Sequence, residues 1–244
     1  MTPRTLVLLV AFALVCTAHA LAPAPRSWMT TPTPRPGEWM KRHHELVKQA
    51  QAGGIDVLFA GDSITEGWGH VGQASWKKHF QPVKSANFGL SGDGTHNLLW
   101  RFQNGELDGF EARVVVLLIG TNNIPKTFEN TTPQLYAPQV AEAIELLIAT
   151  LRARQPKARI LVHGILPRGE WPNQTRECIR LVNERLARLA EDRVHFVDLG
   201  ALFLDGDHLS ASVMPDFLHP NTRAYAAWAP QLAPAVKDLL NRRD

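Results

Sequence analysis

Cysteine is scarce in this chain, whose 244 residues include only Cys16 and Cys178. Cys16 falls in an N-terminal segment that we expect to be cleaved, so the mature protein has a single thiol and no internal disulfide. The helical pattern around Cys178 favours a buried structural thiol over a nucleophile. A small fold held together by disulfide bridges is therefore excluded.

A strong excess of charge of either sign is also missing. The 26 Lys and Arg residues stand against 23 Asp and Glu residues, which gives a formal net charge of +3. That balance does not indicate nucleic-acid binding. The hydrophobic fraction of 45% and the charged fraction of 20% are typical of a globular protein with a substantial core.

The apolar run at residues 6–15 is too short to span a bilayer comfortably. Arg4 precedes it and the small-residue sequence AHA follows at residues 18–20, so residues 1–20 are predicted to be a cleavable secretory signal peptide. A retained membrane anchor is the alternative. We expect a secreted or periplasmic protein without stable membrane insertion.

Proline is concentrated directly after this segment. Residues 21–38 contain five prolines, which predicts a linker or an extended strap with little regular structure. Residues 39–52 then show helical spacing of apolar residues and end at Gly53 and Gly54. Since neither an internal repeat nor a second boundary follows, residues 39–244 are predicted to form a single domain.

Apolar runs and amphipathic segments alternate along the rest of the chain. The strand candidates are residues 56–60, 83–88, 114–119, 159–164 and 194–199. Helices are predicted over residues 137–154, around the stripe from Ile179 to Leu189, and over about residues 222–241. This alternation predicts an α/β fold with a parallel sheet and helices on both faces. Such sheets bind ligands beyond the carboxyl ends of their strands.

Ser63 lies just after the first strand candidate, in the stretch GDSIT. A serine hydroxyl is a poor nucleophile unless a base and oxyanion donors stand nearby. Thr65 occupies the position where the G-x-S-x-G elbow requires glycine, and the lysine of a phosphate-binding P-loop is absent. From this stretch alone, a nucleophile and a helix cap both stay open.

A candidate base lies in the stretch PDFLHPN near the C-terminus. Asp216 and His219 are three residues apart, so the carboxylate can hold one imidazole nitrogen while the other accepts the serine proton. The alternative is a loop acid beside a surface histidine. Asp198 also ends a strand and is a weaker rival for the acid. Asp62 and Asp93 are expected to brace their loops by hydrogen bonds.

Two more strand ends offer hydrogen-bond donors. In residues 87–95, NFGLSGDGT, the backbone N–H of Gly92 can face an oxyanion. In residues 119–123, IGTNN, the side-chain amide of Asn122 is a neutral donor. The alternatives are a tight strand-to-helix turn and an Asx-turn. Nucleophile, acid–base pair and donors nevertheless all fall in loops that one sheet would bring to one edge.

The motifs GDS, N-x-G-x-x-G-D, GTNN and D-x-x-H together resemble those of the SGNH (GDSL-type) hydrolase family. The resemblance runs over about residues 39–240, and ILPRGEWPN and DFLHP are similar to the branch of the platelet-activating-factor acetylhydrolase catalytic subunits and their bacterial relatives. It implies a three-layer α/β/α sandwich with a five-stranded parallel sheet, of the flavodoxin-like kind.

The same resemblance assigns roles to particular residues. It implies a catalytic triad of Ser63, Asp216 and His219. It also implies an oxyanion hole formed by the N–H groups of Ser63 and Gly92 with the amide of Asn122. No cofactor is required by this chemistry, and we expect no metal.

Four further residues are candidates to line a substrate pocket, with core packing or surface stacking as the alternative for each tryptophan: Trp68, Trp100, Arg168 and Trp171. The loop DGDH contains Asp205 and Asp207, but two acids in a loop are a weak indication of a cation site.

The expected function is that of an exported serine esterase acting on a small ester or on an acetylated glycan. The preference for acetyl groups follows from the resemblance. A phospholipid acetylhydrolase or lysophospholipase is the first alternative, although no long apolar lid segment is visible. A non-catalytic glycan-binding module is the second alternative, and the complete set of catalytic residues opposes it.

Overall fold

The computed structural model describes residues 27–242 of the chain. The predicted signal peptide and the first residues of the proline-rich segment lie outside this part. The sheet has five parallel strands in the order β2-β1-β3-β4-β5. Their bounds are Val57–Gly61 for β1, Ser85–Gly89 for β2, Val114–Leu118 for β3, Arg159–His163 for β4 and Val194–Val197 for β5. All five strand predictions are confirmed, with ends displaced by at most two residues.

Within the described residues, the α-helices are α1 (Glu38–Ala52), α2 (Ser63–Glu66), α3 (Gln73–His79), α4 (Thr95–Gln103), α5 (Pro133–Arg154), α6 (Gln174–Ala187) and α7 (Thr222–Asn241). The four helix predictions are confirmed. Helix α5 starts earlier than the apolar stripe indicated, because the Thr132 hydroxyl caps it and proline is tolerated in a first turn. None of these helices combines the length and the hydropathy needed to cross a membrane.

The side chains of β1 alternate between two separate cores. Leu58 and Ala60 pack in the core beneath α1, α4, α5 and α6. Val57 and Phe59 point the other way, into the core beneath α3 and α7. Burying such a side chain contributes roughly 1.5–3 kcal/mol. The chain therefore forms the expected three-layer α/β/α sandwich.

The described part of the proline-rich segment, which begins at Ser27, is a strap attached to the domain by hydrogen bonds. Met29 is buried, and its carbonyl accepts a hydrogen bond of 2.8 Å from the Thr95 hydroxyl. Farther along, the Thr33 carbonyl accepts one of 2.9 Å from the Asn97 amide. These contacts hold the strap against the start of α4, where the loop after β2 ends.

Glycines at the carboxyl ends of β1 and β2 allow neighbouring backbone segments to approach closely. Gly61 of β1 is in register with Gly89 of β2 and with Leu118 of β3. A Cβ atom on Gly61 would lie 2.1 Å from the Leu118 carbonyl oxygen, and one on Gly89 would lie 2.1 Å from the backbone nitrogen of Glu66. The loops after β1, β2 and β3 consequently begin side by side at one edge of the sheet.

We predict that Gly89→Ala destabilises the protein by about 1–3 kcal/mol or more, the range for overpacking. The methyl group of the alanine would meet the backbone of α2. Gly69→Ala is the matched control, since its Cβ would sit at an ordinary 3.6 Å from the Asn87 amide. Urea unfolding followed by circular dichroism measures both. Equal unfolding midpoints would contradict the close approach of α2 to β2.

Candidate active site

Ser63 is the first residue of α2 and follows β1 after a single residue. Asp62 caps this short helix, since its carboxylate accepts a 2.9 Å hydrogen bond from the backbone N–H of Ile64. The cap interpretation of Ser63 is therefore wrong: the neighbouring aspartate performs that task. The hydroxyl of Ser63 is left for another partner.

That partner is His219, which lies far away in the sequence. The Ser63 Oγ atom is 2.9 Å from His219 Nε2, and His219 Nδ1 is 2.6 Å from Asp216 Oδ2. The other carboxylate oxygen of Asp216 accepts hydrogen bonds from the backbone N–H groups of Leu218 and His219. A proton on Nδ1 leaves Nε2 free to accept the serine proton, which is the arrangement of a serine nucleophile with its base and acid.

Helix α7 determines where this acid–base pair lies. The Tyr225 hydroxyl on α7 donates a 2.6 Å hydrogen bond to the Ile64 carbonyl on α2. The side chain of Asn221 caps α7 directly after the Asp216–His219 turn. Because α7 is docked on α2, the turn that precedes α7 meets Ser63.

The charge of Asp216 suits its position beside the imidazole. Partial burial raises the pKa of Asp216, but hydrogen bonds from the ring and backbone of His219 lower that pKa further, and the net shift is downward. An ionised carboxylate at this point stabilises a protonated imidazole. The rival Asp198 accepts hydrogen bonds from Gly200 N and from Asn183 Nδ2 instead, so it braces another loop.

Gly92 and Asn122 both lie on exposed loops at the same sheet edge. Gly92 has a φ of +78°, a left-handed conformation that favours glycine. Asn122 Nδ2 donates a 2.9 Å hydrogen bond to the Asp93 carbonyl, which uses one of its two amide hydrogens. The loop after β2 is also tied to β1, because Leu90 N donates to the Gly61 carbonyl. The loops that carry the three predicted donors are thus joined by hydrogen bonds.

The two aspartates expected to brace loops do so. Asp62 caps α2, and complete burial raises its pKa to about 7. Asp93 Oδ1 accepts a hydrogen bond from Trp39 Nε1, and Asp93 Oδ2 accepts one from Arg101 Nε. No local sequence motif predicts that Trp39 of α1 and Arg101 of α4 bind Asp93. A sequence signal for Arg101 was its position among the apolar residues Leu98, Leu99 and Phe102 of α4.

The pocket assignment of Trp68 is wrong. Its side chain is 1% exposed and lies in the core, packed against Phe80, Tyr225 and Trp228. Trp68 comes shortly after α2 and lies in the same core as Ile64 of that helix. Its ring therefore supports the turn that carries Ser63. Trp100 is half-buried on α4, and its ring packs against Trp39 and the neighbouring His43 of α1, so the packing alternative, and not the pocket assignment, describes it.

Arg168 and Trp171 are in the loop after β4, which adjoins the triad. Gly169 N donates a 2.9 Å hydrogen bond to the Phe217 carbonyl, two residues before His219. Arg168 Nη1 donates to the carbonyl of Thr121, next to Asn122. The Trp171 side chain is 58% exposed and packs on the ring of His208 at 4.5 Å. The loop that carries this exposed indole ring is thus hydrogen-bonded to the turn that carries the acid–base pair.

The loop acids and the lone cysteine are the remaining candidates from the sequence. Asp205 and Asp207 belong to a tight turn closed by Asp205 N and the His208 carbonyl. Among residues 27–242, no group of three or more His, Cys, Asp or Glu side chains could hold a metal ion. Cys178 is buried, and burial raises its thiol pKa to about 12, so it is a structural thiol as expected.

Comparison with known proteins gives this geometry a family. Residues 59–227 match the model of the GDSL-like lipase/acylhydrolase family. The chain belongs to this family. Over 193 residues it is 38% identical to the human platelet-activating factor acetylhydrolase IB subunit alpha1, with 78% of each chain covered. This GDSL-like acylhydrolase is therefore a carboxylic ester hydrolase.

Solved structures share the fold of the GDSL-like acylhydrolase. A GDSL-like lipase from Bacteroides thetaiotaomicron aligns with a TM-score of 0.57 at 20% identity, covering 82% of this chain and 96% of the other. A carbohydrate acetylesterase from Sinorhizobium meliloti aligns with a TM-score of 0.56 at 17% identity, covering 76% and 99%. The expected SGNH-type fold is confirmed.

The raised pKa of Asp62 predicts that the effect of Asp62→Asn on the free energy of unfolding depends on pH. A pKa raised from 3.8 to about 7 means that stability from this group is present below its unfolded pKa and is lost as the pH rises through its folded pKa. Asparagine keeps the capping oxygen and carries no charge. The stability of the variant relative to the wild type should therefore increase between about pH 5 and about pH 8.

Urea unfolding at both pH values measures this difference. Asp238→Asn, at an exposed carboxylate on α7, is the control for loss of a surface charge. A stability difference between Asp62→Asn and wild type that does not change with pH would show that Asp62 is charged throughout this range.

Proposed function

We propose that this acylhydrolase is an exported enzyme that removes short acyl groups, above all acetyl groups, from carbohydrates through an acyl-enzyme on Ser63. The observation that carries the proposal is the hydrogen-bonded series of Ser63, His219 and Asp216, with distances of 2.9 and 2.6 Å. A serine so placed has a base within reach and an acid that orients the base.

In the first half of the reaction, Ser63 Oγ attacks the ester carbonyl carbon and its proton passes to His219 Nε2. Asp216 stabilises the imidazolium that forms. The oxyanion of the tetrahedral intermediate accepts hydrogen bonds from the N–H groups of Ser63 and Gly92 and from the free hydrogen on Asn122 Nδ2. The intermediate then collapses, and His219 gives its proton to the departing alcohol.

In the second half, water replaces the alcohol. His219 Nε2 takes a proton from the water molecule while its oxygen attacks the acyl carbon on Ser63. The same donors hold the second oxyanion, and collapse releases the carboxylic acid and restores the Ser63 hydroxyl. Every proton in the cycle moves through His219, so the groups of this chain and water are sufficient.

Three observations support acetylated glycans as the substrate class. A related fold belongs to a protein named a carbohydrate acetylesterase, and the relatives 37–38% identical to this chain are named acetylhydrolases. The exposed indole of Trp171 belongs to a loop that is hydrogen-bonded to the turn carrying Asp216 and His219, and an indole ring combines a flat apolar face with a polar edge. The N-terminal sequence supports export, since it has the pattern of a signal peptide.

A phospholipid acetyl ester is the second candidate substrate. The names of the curated relatives favour it, because platelet-activating factor acetylhydrolase subunits share more than a third of their aligned residues with this chain. The two candidates use the same triad and differ only in what the alcohol side of the ester carries. A substrate comparison separates them.

Ser63→Ala should lower the hydrolysis of p-nitrophenyl acetate by about 10³-fold or more, because the nucleophile is lost. Ser75→Ala, on α3, is the matched control for removal of a serine hydroxyl. The release of p-nitrophenol is measured spectrophotometrically on purified protein. Substantial activity in Ser63→Ala would refute the acyl-enzyme mechanism.

Trp171→Ala should lower kcat/KM for acetylated oligosaccharides relative to kcat/KM for p-nitrophenyl acetate by roughly 3- to 10-fold, the scale of one aromatic contact. Trp171→Phe should restore part of the ratio. Leu135→Ala, at another exposed apolar side chain, is the control. Acetate release is measured on both substrates and on a phospholipid acetyl ester. A selective loss on the phospholipid would favour the second candidate.

A further inference from the structure

Asp93 connects the two loops that supply the outer oxyanion donors. It follows Gly92 directly in the chain, so a shift of the Asp93 backbone is passed through Gly92 to the peptide that carries the Gly92 N–H. Its carbonyl oxygen accepts the 2.9 Å hydrogen bond from Asn122 Nδ2. A displacement of Asp93 would therefore move both donors at once.

The side chain of Asp93 is held on both oxygen atoms. It is completely buried, Trp39 Nε1 lies 2.6 Å from Oδ1, and Arg101 Nε lies 2.8 Å from Oδ2. Arg35 of the strap adds a longer contact of 3.5 Å to Oδ1. A buried carboxylate is costly unless such partners satisfy it, so the position of Asp93 depends on these donors.

Arg101 links this carboxylate to the strand ends. Its guanidinium is fully buried, Nη1 donates to the Phe88 carbonyl at 3.0 Å, and Nη2 donates to the Gly61 carbonyl at 3.2 Å. Gly61 lies two residues before Ser63. The same side chain thus connects the ends of β1 and β2 to the loop that carries Gly92.

Helix α1 is attached to this network by two side chains. Trp39 reaches Asp93, and His43 Nδ1 lies 2.7 Å from Glu106 Oε1, while the other oxygen of Glu106 accepts from Arg101. Helix α1 contributes no group to the triad or to the donor set. Its hydrogen bond to Asp93, in the loop that carries Gly92, therefore has no direct catalytic role.

We propose that Asp93 is a positioning residue of the oxyanion hole and that Trp39 holds it in place from α1. The proposal rests on the roles given above to Ser63, Gly92 and Asn122. Oxyanion donors stabilise the transition state more than the bound substrate, so their displacement lowers kcat and leaves KM nearly constant. A displacement of about 1 Å in a catalytic group can cost up to roughly 10²-fold in rate.

Trp39→Phe tests the proposal with a small change. It removes the N–H that donates to Asp93 Oδ1 and keeps an aromatic ring in the core. Trp100→Phe is the matched control, because this tryptophan packs 5.6 Å from Trp39 and loses the same N–H without touching Asp93. The kcat of Trp39→Phe for p-nitrophenyl acetate should be about 10-fold below that of Trp100→Phe, with KM within about 2-fold.

A transition-state analogue gives a readout that a general structural defect would not move. A short alkyl boronic acid forms a tetrahedral anion on a serine nucleophile, so its inhibition constant should rise in Trp39→Phe by about the factor lost from kcat/KM. Asp93→Asn is the second variant, since it keeps the backbone carbonyl and replaces one carboxylate oxygen. It should show the same fall in kcat and the same weakening of the boronic acid.

The outcomes separate this proposal from the proposed function. Equal kcat in Trp39→Phe and Trp100→Phe, or a loss confined to KM, would overturn the positioning role while Ser63→Ala still abolished activity. Activity in Ser63→Ala would instead overturn the proposed function itself. If melting curves show that Trp39→Phe does not fold, Asp93→Asn decides the matter by the same two readouts.

Discussion

The buried guanidinium of Arg101 is the contact on which the arrangement of the active-site loops depends. Its donors reach two carboxylates, those of Asp93 and Glu106, and the carbonyls that end β1 and β2. A planar guanidinium can serve acceptors in several directions at once, which a single ammonium group cannot do. Removing one partner from such a buried network leaves an unpaired charge and is strongly destabilising. The loops therefore start from a rigid frame although their tips are exposed.

Sheet topology explains why the proposed nucleophile, Ser63, follows a strand that lies between the strands leading to its two proposed outer donors. With the order β2-β1-β3, the strand before Ser63 is flanked on one side by the strand before Gly92 and on the other by the strand before Asn122. The chain leaves β1 toward β2 and then crosses to β3, so the strand order reverses at this point. Parallel α/β sheets bind their ligands at such reversals. The loops that carry the two proposed outer donors thus begin on either side of the strand that leads to Ser63.

The acid–base pair reaches the same place by a different route. It belongs to no strand end, and it depends on the docking of α7 against α2 through Tyr225 and Ile64. The triad is open to solvent, with side-chain exposures of 44% for His219 and 55% for Asp216. An open site accommodates an ester on a large molecule, because only the acyl group has to enter among the donors. This openness supports the proposal that the enzyme removes acyl substituents from a larger molecule.

Much of the fold followed from the local pattern. Three of the five strands are nearly continuous apolar runs, as expected of strands covered on both faces, and such runs are visible without any alignment. The predicted ends missed by one or two residues because strand pairing, which involves distant residues, decides where a strand stops. The motif residues were visible as well, because polar residues and glycines directly after apolar runs mark the carboxyl ends of strands.

The sequence by itself determined the order of strands and helices and the chemical groups at each strand end. Only the tertiary structure decided which aspartate pairs with His219, that Asp62 and not Ser63 caps α2, and that Trp68 lies in the core. Those outcomes depend on contacts between residues far apart in the chain, such as Ser63 and His219, whose sequence separation is 156. The links from Trp39 and Arg101 to Asp93 belong to the same class. Helical periodicity shows that a residue faces inward, but the partner it meets there is fixed by how the layers pack.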